Sequence, residues 1–202
     1  MESWLPNHMY LINQMIKYGK LSYNRHLTVA TGGNLSVQCD EGIIITASGT
    51  CLGNLEPSDF ILLSISGDVL YQPDKKMKPS KEGMLHLTLY KHFPQIQSVV
   101  HLHPPYLVSY SCANMRFPRI TSSAINKLPK EIIVDPAPAG SSSLVHNLET
   151  AIHNTSIYPK FILLTNHGTI TTGSSVQEAY YTAELAEECA HIAFLSNFII
   201  KT

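Results

Sequence analysis

Three histidines and one glutamate carry the chemistry open to this sequence. His101-Leu102-His103 closes a run, from Gln97 onward, that reads as a strand. Residues i and i+2 of a strand share one face, so the two imidazoles stand side by side, as two metal ligands must. Pro104 ends the strand there and places the pair, on this reading, at a sheet edge where a site can open. His167 follows the apolar run Phe161-Ile162-Leu163-Leu164 and precedes Gly168, whose missing Cβ lets backbone approach closely. Taken singly, each histidine is as well read as an ordinary strand or loop residue. Together they make a more specific set. Three imidazoles with a vacant fourth position are a catalytic zinc arrangement, able to polarise a carbonyl or to hold an enediolate. Imidazole ligands also suit other divalent ions. A binuclear hydrolase would want further ligands where Pro104-Pro105-Tyr106 stands, and an amidohydrolase barrel needs a longer chain. A cupin would be nearly all β.

Glu82 follows Lys78-Pro79-Ser80-Lys81 at the head of an expected helix, with Ser80 as its N-cap. By residue type alone Glu82 reads first as an acid favoured by the helix dipole, and second as a general acid/base beside a metal. Three small-residue loops, Gly32-Gly33-Asn34, Ala47-Ser48-Gly49 and Pro79-Ser80-Lys81, offer backbone N–H groups with hydroxyl, amide or ammonium donors. Such groups cradle phosphate, although each loop alone is only a turn. Lys75, Lys76, Lys78 and Lys81 add local positive charge. His86 lies on the same helix as Glu82 and is placed to support the site from behind, whereas His8 and five other histidines have no partner pattern.

The elements that must position these groups alternate between helix and strand. Leu5, Met9, Ile12 and Ile16 mark an amphipathic helix ending before Arg25. Leu35-Ser36-Val37 and Gly42–Thr46 read as a hairpin, Phe60–Ile65 as a strand, and Ser66-Gly67-Asp68 as a turn into Val69–Tyr71. Helices are expected from Tyr106 to Ala113 and around Leu144–Ile152, and strands over Glu131–Val134 and Phe161–Leu164. Ser175-Val176-Gln177-Glu178 is a capping box before a stripe of Val176, Ala179, Tyr180, Ala183, Ala190, Ala193 and Phe194. The pattern predicts one α/β domain over residues 1–202, with a mixed, largely antiparallel sheet and helices on its faces.

Composition narrows the function classes. Of 202 residues 44% are hydrophobic and 14% charged, against about 25% charged in an ordinary soluble domain. Such sparse charge predicts buried subunit interfaces. The net charge of −1 and the absence of a basic stripe argue against a nucleic-acid partner. No apolar run approaches the ~20 residues of a membrane span, and Glu2, Pro6, Asn7 and His8 break any signal pattern. Cys39, Cys51, Cys112 and Cys189 lack metal or disulfide spacing and read as small buried hydrophobes in a reducing, cytoplasmic setting.

Taken in order, Thr31-Gly32-Gly33-Asn34-Leu35-Ser36, Thr46-Ala47-Ser48-Gly49, Lys78-Pro79-Ser80-Lys81-Glu82, His101-Leu102-His103 and Asn166-His167-Gly168 resemble the class II aldolase/adducin family along nearly the whole chain. The resemblance implies a three-layer α/β/α fold and a homotetramer. It implies zinc on His101, His103 and His167, and Glu82 as the catalytic carboxylate. It also implies that Gly33, Asn34, Ser48, Gly49, Ser80 and Lys81 hold the phosphate of a small phosphorylated sugar or sugar acid. Thr50–Leu55, Lys78–Glu82 and Val99–His103 resemble the 3-oxo-tetronate 4-phosphate decarboxylases most; fuculose-phosphate aldolases carry serine where Lys81 stands. The epimerase branch carries aspartate at the position of Glu82. Phe117–Pro138 matches neither branch well. Dehydration of a methylthioribulose-like phosphate and a non-catalytic adducin-like binding role are the alternatives.

Overall fold

The computed structural model describes residues 4–199. Its helices are α1 (Trp4–Asn24), α2 (Gly83–His92), α3 (Pro105–Cys112), α4 (Ser122–Lys127), α5 (Ser142–His153) and α6 (Val176–Ile199). Its strands are β1 (Asn34–Cys39), β2 (Gly42–Thr46), β3 (Phe60–Leu63), β4 (Val69–Tyr71), β5 (Ser98–Leu102), β6 (Ile132–Val134), β7 (Phe161–Leu164) and β8 (Gly168–Gly173). All eight strands join one sheet in the order β4-β3-β2-β1-β5-β8-β7-β6. Only β6 and β7 run parallel.

Side chains of period two divide the core between the two faces of this sheet. Along β2, Ile43 and Ile45 pack with Leu85 and Leu89 of α2 and Leu144 and Leu148 of α5, while Ile44 packs with Ile12 and Met15 of α1 and Ala179 and Ala183 of α6. Each such buried Ile or Leu removes enough apolar surface to contribute about 1.5–3 kcal/mol. The layers are therefore α2 and α5, the sheet, then α1 and α6. This is the three-layer α/β/α arrangement expected, with a mixed, largely antiparallel sheet. A third apolar cluster joins Leu107 and Tyr110 of α3, Ala124 of α4 and Ala186 and Ala190 of α6.

Several expectations need correction. The His101–His103 pair is not at a lateral edge, because β5 is central, flanked by β1 and β8. It sits instead where β5 ends. Ser80 is not the N-cap of α2: Glu82 takes that position, and Ser80 Oγ accepts the Glu82 N–H from outside the helix at 3.3 Å. The capping box of α6 forms one of its two arms. Ser175 Oγ accepts the Glu178 N–H at 3.2 Å, but the Glu178 carboxylate turns to Ser174 N at 2.8 Å and Lys160 Nζ at 2.6 Å. Of the cysteines Cys189 is fully buried and Cys112 exposed, with Cys39 and Cys51 between; all four are free thiols. Phe194, placed on the buried stripe of α6, is 39% exposed.

Candidate active site

β1 and β5 pair so that Asn34 lies opposite His101. β8 is the other neighbour of β5, and the tight turn before it, held by the His167 N–H to the Leu164 carbonyl at 3.1 Å, carries His167. Asn166 makes that turn with φ of 59°, a left-handed conformation asparagine tolerates. Thus three adjacent central strands deliver Asn34, the His101–His103 pair and His167 to one end of the sheet. Two glycines let the rings close up. A Cβ on Gly168 would lie 2.4 Å from the Leu102 carbonyl oxygen and 2.7 Å from the His103 ring, and one on Gly32 would lie 2.8 Å from His103 Nδ1.

The fourth group comes from above the sheet. The buried side of α2 presents Glu82, His86 and Tyr90 at helical spacing, over Asn34 and Ser36 at strand spacing. The carboxylate of Glu82 accepts from Asn34 Nδ2 at 2.9 Å, through Oε2. It reaches His101 Nε2 at 3.0 Å and His167 Nε2 at 3.2 Å. Burial alone would raise its pKa, but the charge of His101 and the hydrogen bonds from His101, His167 and Asn34 hold it well below the usual carboxylate range. Below these groups, Ser36 Oγ joins His86 Nδ1 at 2.7 Å and the Tyr90 hydroxyl at 2.9 Å. His86 thus does stand behind the site, in a fully buried layer of its own.

The donor set fits a divalent metal ion. His101 Nδ1 donates to the Thr169 carbonyl at 2.9 Å, which points Nε2 at the centre, where it bears a proton toward Glu82 or ligates a metal ion in its place. There it meets His103 Nε2 at 2.9 Å as well as Glu82 Oε2. Acceptor atoms this close repel unless a proton or a metal ion lies among them. The ligand atoms of His101, His103 and His167 all fall within 4.8 Å of one another. Burial lowers the His103 pKa to about 4, with His101 and His167 adding to the effect, so its imidazole is neutral and able to ligate at pH 7.

A cleft of about 260 Å³ opens from the histidines, and every small-residue loop singled out in the sequence borders it. Its wall is formed by Gly33-Asn34, Ser48-Gly49 and Ser80-Lys81, with His103, Glu82 and His167 at one end. An isolated bridge between Ala47 and Pro79 clamps two of these loops together. That bridge occupies the Ser48 N–H (to the Lys78 carbonyl, 2.8 Å) and the Ser80 N–H (to the Thr46 carbonyl, 3.2 Å). What those serines can offer an anion is therefore hydroxyl, beside the Lys81 ammonium and the backbone at Gly33 and Gly49. Asn34, which also lines the cleft, donates Nδ2 to Glu82. Sequence reasoning missed Ala139 and Gly140, which also line the cleft. Gly140, at φ of 70°, lies against Lys81, where a Cβ would meet the Lys81 Cβ at 3.0 Å. The run Pro136-Ala137-Pro138-Ala139-Gly140 has the same small-residue character as the other loops and could have been read the same way.

Comparison with known proteins gives a consistent result. The profile of the Class II Aldolase and Adducin N-terminal domain family matches residues 13–194. An L-fuculose phosphate aldolase of Methanococcus maripaludis is 32% identical over 186 residues, covering 92% of this chain and 97% of its own. A 3-oxo-tetronate 4-phosphate decarboxylase of Haemophilus influenzae is also 32% identical over 186 residues, covering 89% and 85%. The crystal structure of YgbL from Klebsiella pneumoniae superposes with a TM-score of 0.82 at 28% identity, over 93% of this chain and 90% of that one.

Proposed function

This chain belongs to the class II aldolase and adducin family, and on that footing we propose that it is a zinc-dependent carbon–carbon lyase acting on a small phosphorylated sugar or sugar acid. The observation that carries the reading is the cleft and what stands behind it: His103, His167 and the depressed carboxylate of Glu82 line it together with serine hydroxyls and the Lys81 side chain, and buried His101 completes the imidazole cluster. His101, His103 and His167 would hold the metal ion. Bound there, it would supply Lewis acidity that polarises a substrate carbonyl and stabilises negative charge growing on its oxygen.

The protein's own groups would do the rest. Gly33, Asn34, Ser48, Gly49, Ser80 and Lys81 would anchor the phosphate, so that binding energy there orients the bond to be broken. Glu82, ionised and aimed by Asn34, moves a proton to or from the substrate carbon next to the carbonyl. Loss of carbon dioxide from a 3-oxo acid phosphate and loss of an aldehyde from a ketose 1-phosphate make the same demand on these residues. Dihydroxyacetone phosphate can be the common product.

A homo-oligomer is part of the proposal, a homotetramer by family resemblance. Met115, Leu195 and Phe198 are each about half exposed or more on one side of the molecule, and the chain is poor in charge. Four free thiols suit a cytoplasmic setting, and among the described residues no helix is long and apolar enough to cross a membrane.

The test is release of dihydroxyacetone phosphate by the zinc-loaded protein from 3-oxo-tetronate 4-phosphate and from fuculose 1-phosphate, side by side. Release from one substrate assigns the branch. Release from neither, with zinc bound, rules out both named branches and shifts the reading to another aldol substrate, to dehydration or to a binding role like that of adducin.

A further inference from the structure

β1 runs from the histidine cluster at Asn34 to the β1–β2 hairpin at Cys39, roughly 17 Å away at strand rise. A second convergence of metal-ligating side chains lies at that far end. His8 comes from α1, Cys39 ends β1, and Glu41 sits in the hairpin turn. Their imidazole, thiol and carboxylate atoms all fall within 4.8 Å of one another. Nothing in the sequence spacing joins residues 8 and 39; the fold alone brings them together.

We infer that His8, Cys39 and Glu41 form a second cation site, separate from the cleft, that takes a borderline-soft divalent ion of the zinc class.

The tautomer of His8 is the first support. Its Nδ1 donates to the Trp4 carbonyl at 2.9 Å, which turns the Nε2 lone pair toward Glu41 Oε2 at 3.1 Å. A lone pair facing a carboxylate at that distance needs positive charge between them. A proton serves two of the three groups, whereas a metal ion serves all three. Imidazole, thiolate and carboxylate are the donors that zinc accepts, and tetrahedral coordination sets ligand atoms about 3–4 Å apart. His8 Nε2 and Glu41 Oε2 already stand at that spacing, with Cys39 Sγ within 4.8 Å of both, and the Glu41 side chain is nearly half exposed.

The surroundings agree. His8 is nearly buried, with its ring stacked on Trp4 at a centroid distance of 5.3 Å, so the ligand is held in place beforehand. A surface cavity of about 380 Å³, lined by His8, Gln38, Cys39 and Asp40, gives an ion access. Gln38 Oε1 is buried there without a hydrogen-bond partner among the described residues, an acceptor that water on a bound ion could satisfy. Without the ion, burial pushes the Cys39 thiol up to about 11. Binding therefore exchanges the sulfur–hydrogen bond for a sulfur–metal bond and releases that proton to solvent. The site would tie the first helix to the hairpin, with no part in the cleft.

Titrating Co²⁺ into the metal-free protein separates the two centres. The three-histidine cluster holds no sulfur, so a near-ultraviolet sulfur-to-cobalt charge-transfer band that requires Cys39 reports this second site and not the cleft. The expected result is a saturable band, with quenching of Trp4, the single tryptophan of the chain, at the same midpoint. Cys39→Ser should abolish the band. Glu41→Gln, a change at a solvent-facing side chain that leaves folding intact, should weaken Co²⁺ binding about tenfold or more while retaining the band at high metal. Absence of any thiolate band, or a band unchanged in Cys39→Ser, overturns the inference and leaves a plain hydrogen-bonded cluster.

Discussion

His86 and His101 are equally shut away from water, at 0% exposure each, yet their surroundings have little else in common. His86 lies among hydroxyls: Ser36 meets it and Tyr90 meets Ser36. Burial, with the charge of His101, lowers its pKa from 6.5 to about 3, so it rests as a neutral ring in a packed layer. His101 lies among ligand atoms: a carboxylate at 3.0 Å and the nitrogen of a second imidazole at 2.9 Å. The contrast shows that burial does not mark a histidine as functional. What marks it is a concentration of lone pairs on one point, a cost that no fold would carry without something positive to place there.

Removing a ligand should expose this difference most. His103→Ala should lose the metal ion and, with it, several kcal/mol of charge stabilisation, about a thousandfold in turnover. Metal content and dihydroxyacetone phosphate release would be measured together, and unchanged metal content would break the contrast. Glu82→Gln keeps the shape and removes the charge. Turnover should fall about 10²- to 10⁴-fold with metal still bound, and full turnover would rule out an acid/base role.

Gly168→Ala tests packing rather than chemistry. Its Cβ would sit 2.4 Å from a carbonyl oxygen, closer than real contacts allow, so urea unfolding should show a loss of about 1–3 kcal/mol together with weaker metal retention.

His86→Gln should have the smallest effect on turnover and a measurable effect on pH dependence. Below pH 6.5 the unfolded chain protonates this histidine, while the folded one stays neutral until about 3. In that window the unfolded state binds more protons, so stability rises with pH and falls as acid is added, by up to about 1.4 kcal/mol per pH unit. Unfolding of the metal-free protein followed between pH 6.5 and 4 should be less steep in the variant than in the parent. An identical slope would mean that His86 is not held neutral by the fold.

Much of this was legible in the residues. The His-x-His pair, the histidine before Gly168 and the three small-residue loops each carry a local signature; His103, His167 and the loops border one cleft, with His101 buried against them. Other parts were not legible, for physical reasons. The residues of β8 give no strand signal, because glycines bracket a threonine-rich run, yet those threonines are buried, and two bond to carbonyls, Thr171 to Ala179 at 2.8 Å and Thr172 to Pro159 at 2.9 Å. α4 spans six residues, too few for a helical period to emerge. The central place of β5 depends on pairings between distant segments, which no local pattern records. Nor does residue type say that Asn34 would reach Glu82.

The bridge between Ala47 and Pro79 has a mechanical consequence. It fastens the two loops proposed to face the substrate's anionic end, and Glu82 stands two residues beyond Ser80, anchored by that same strap. On the proposed function, grip on the phosphate would be geared to the aim of the Glu82 carboxylate. A substrate shortened by its phosphate would then lose speed as well as hold, since the handle and the working end share one lever.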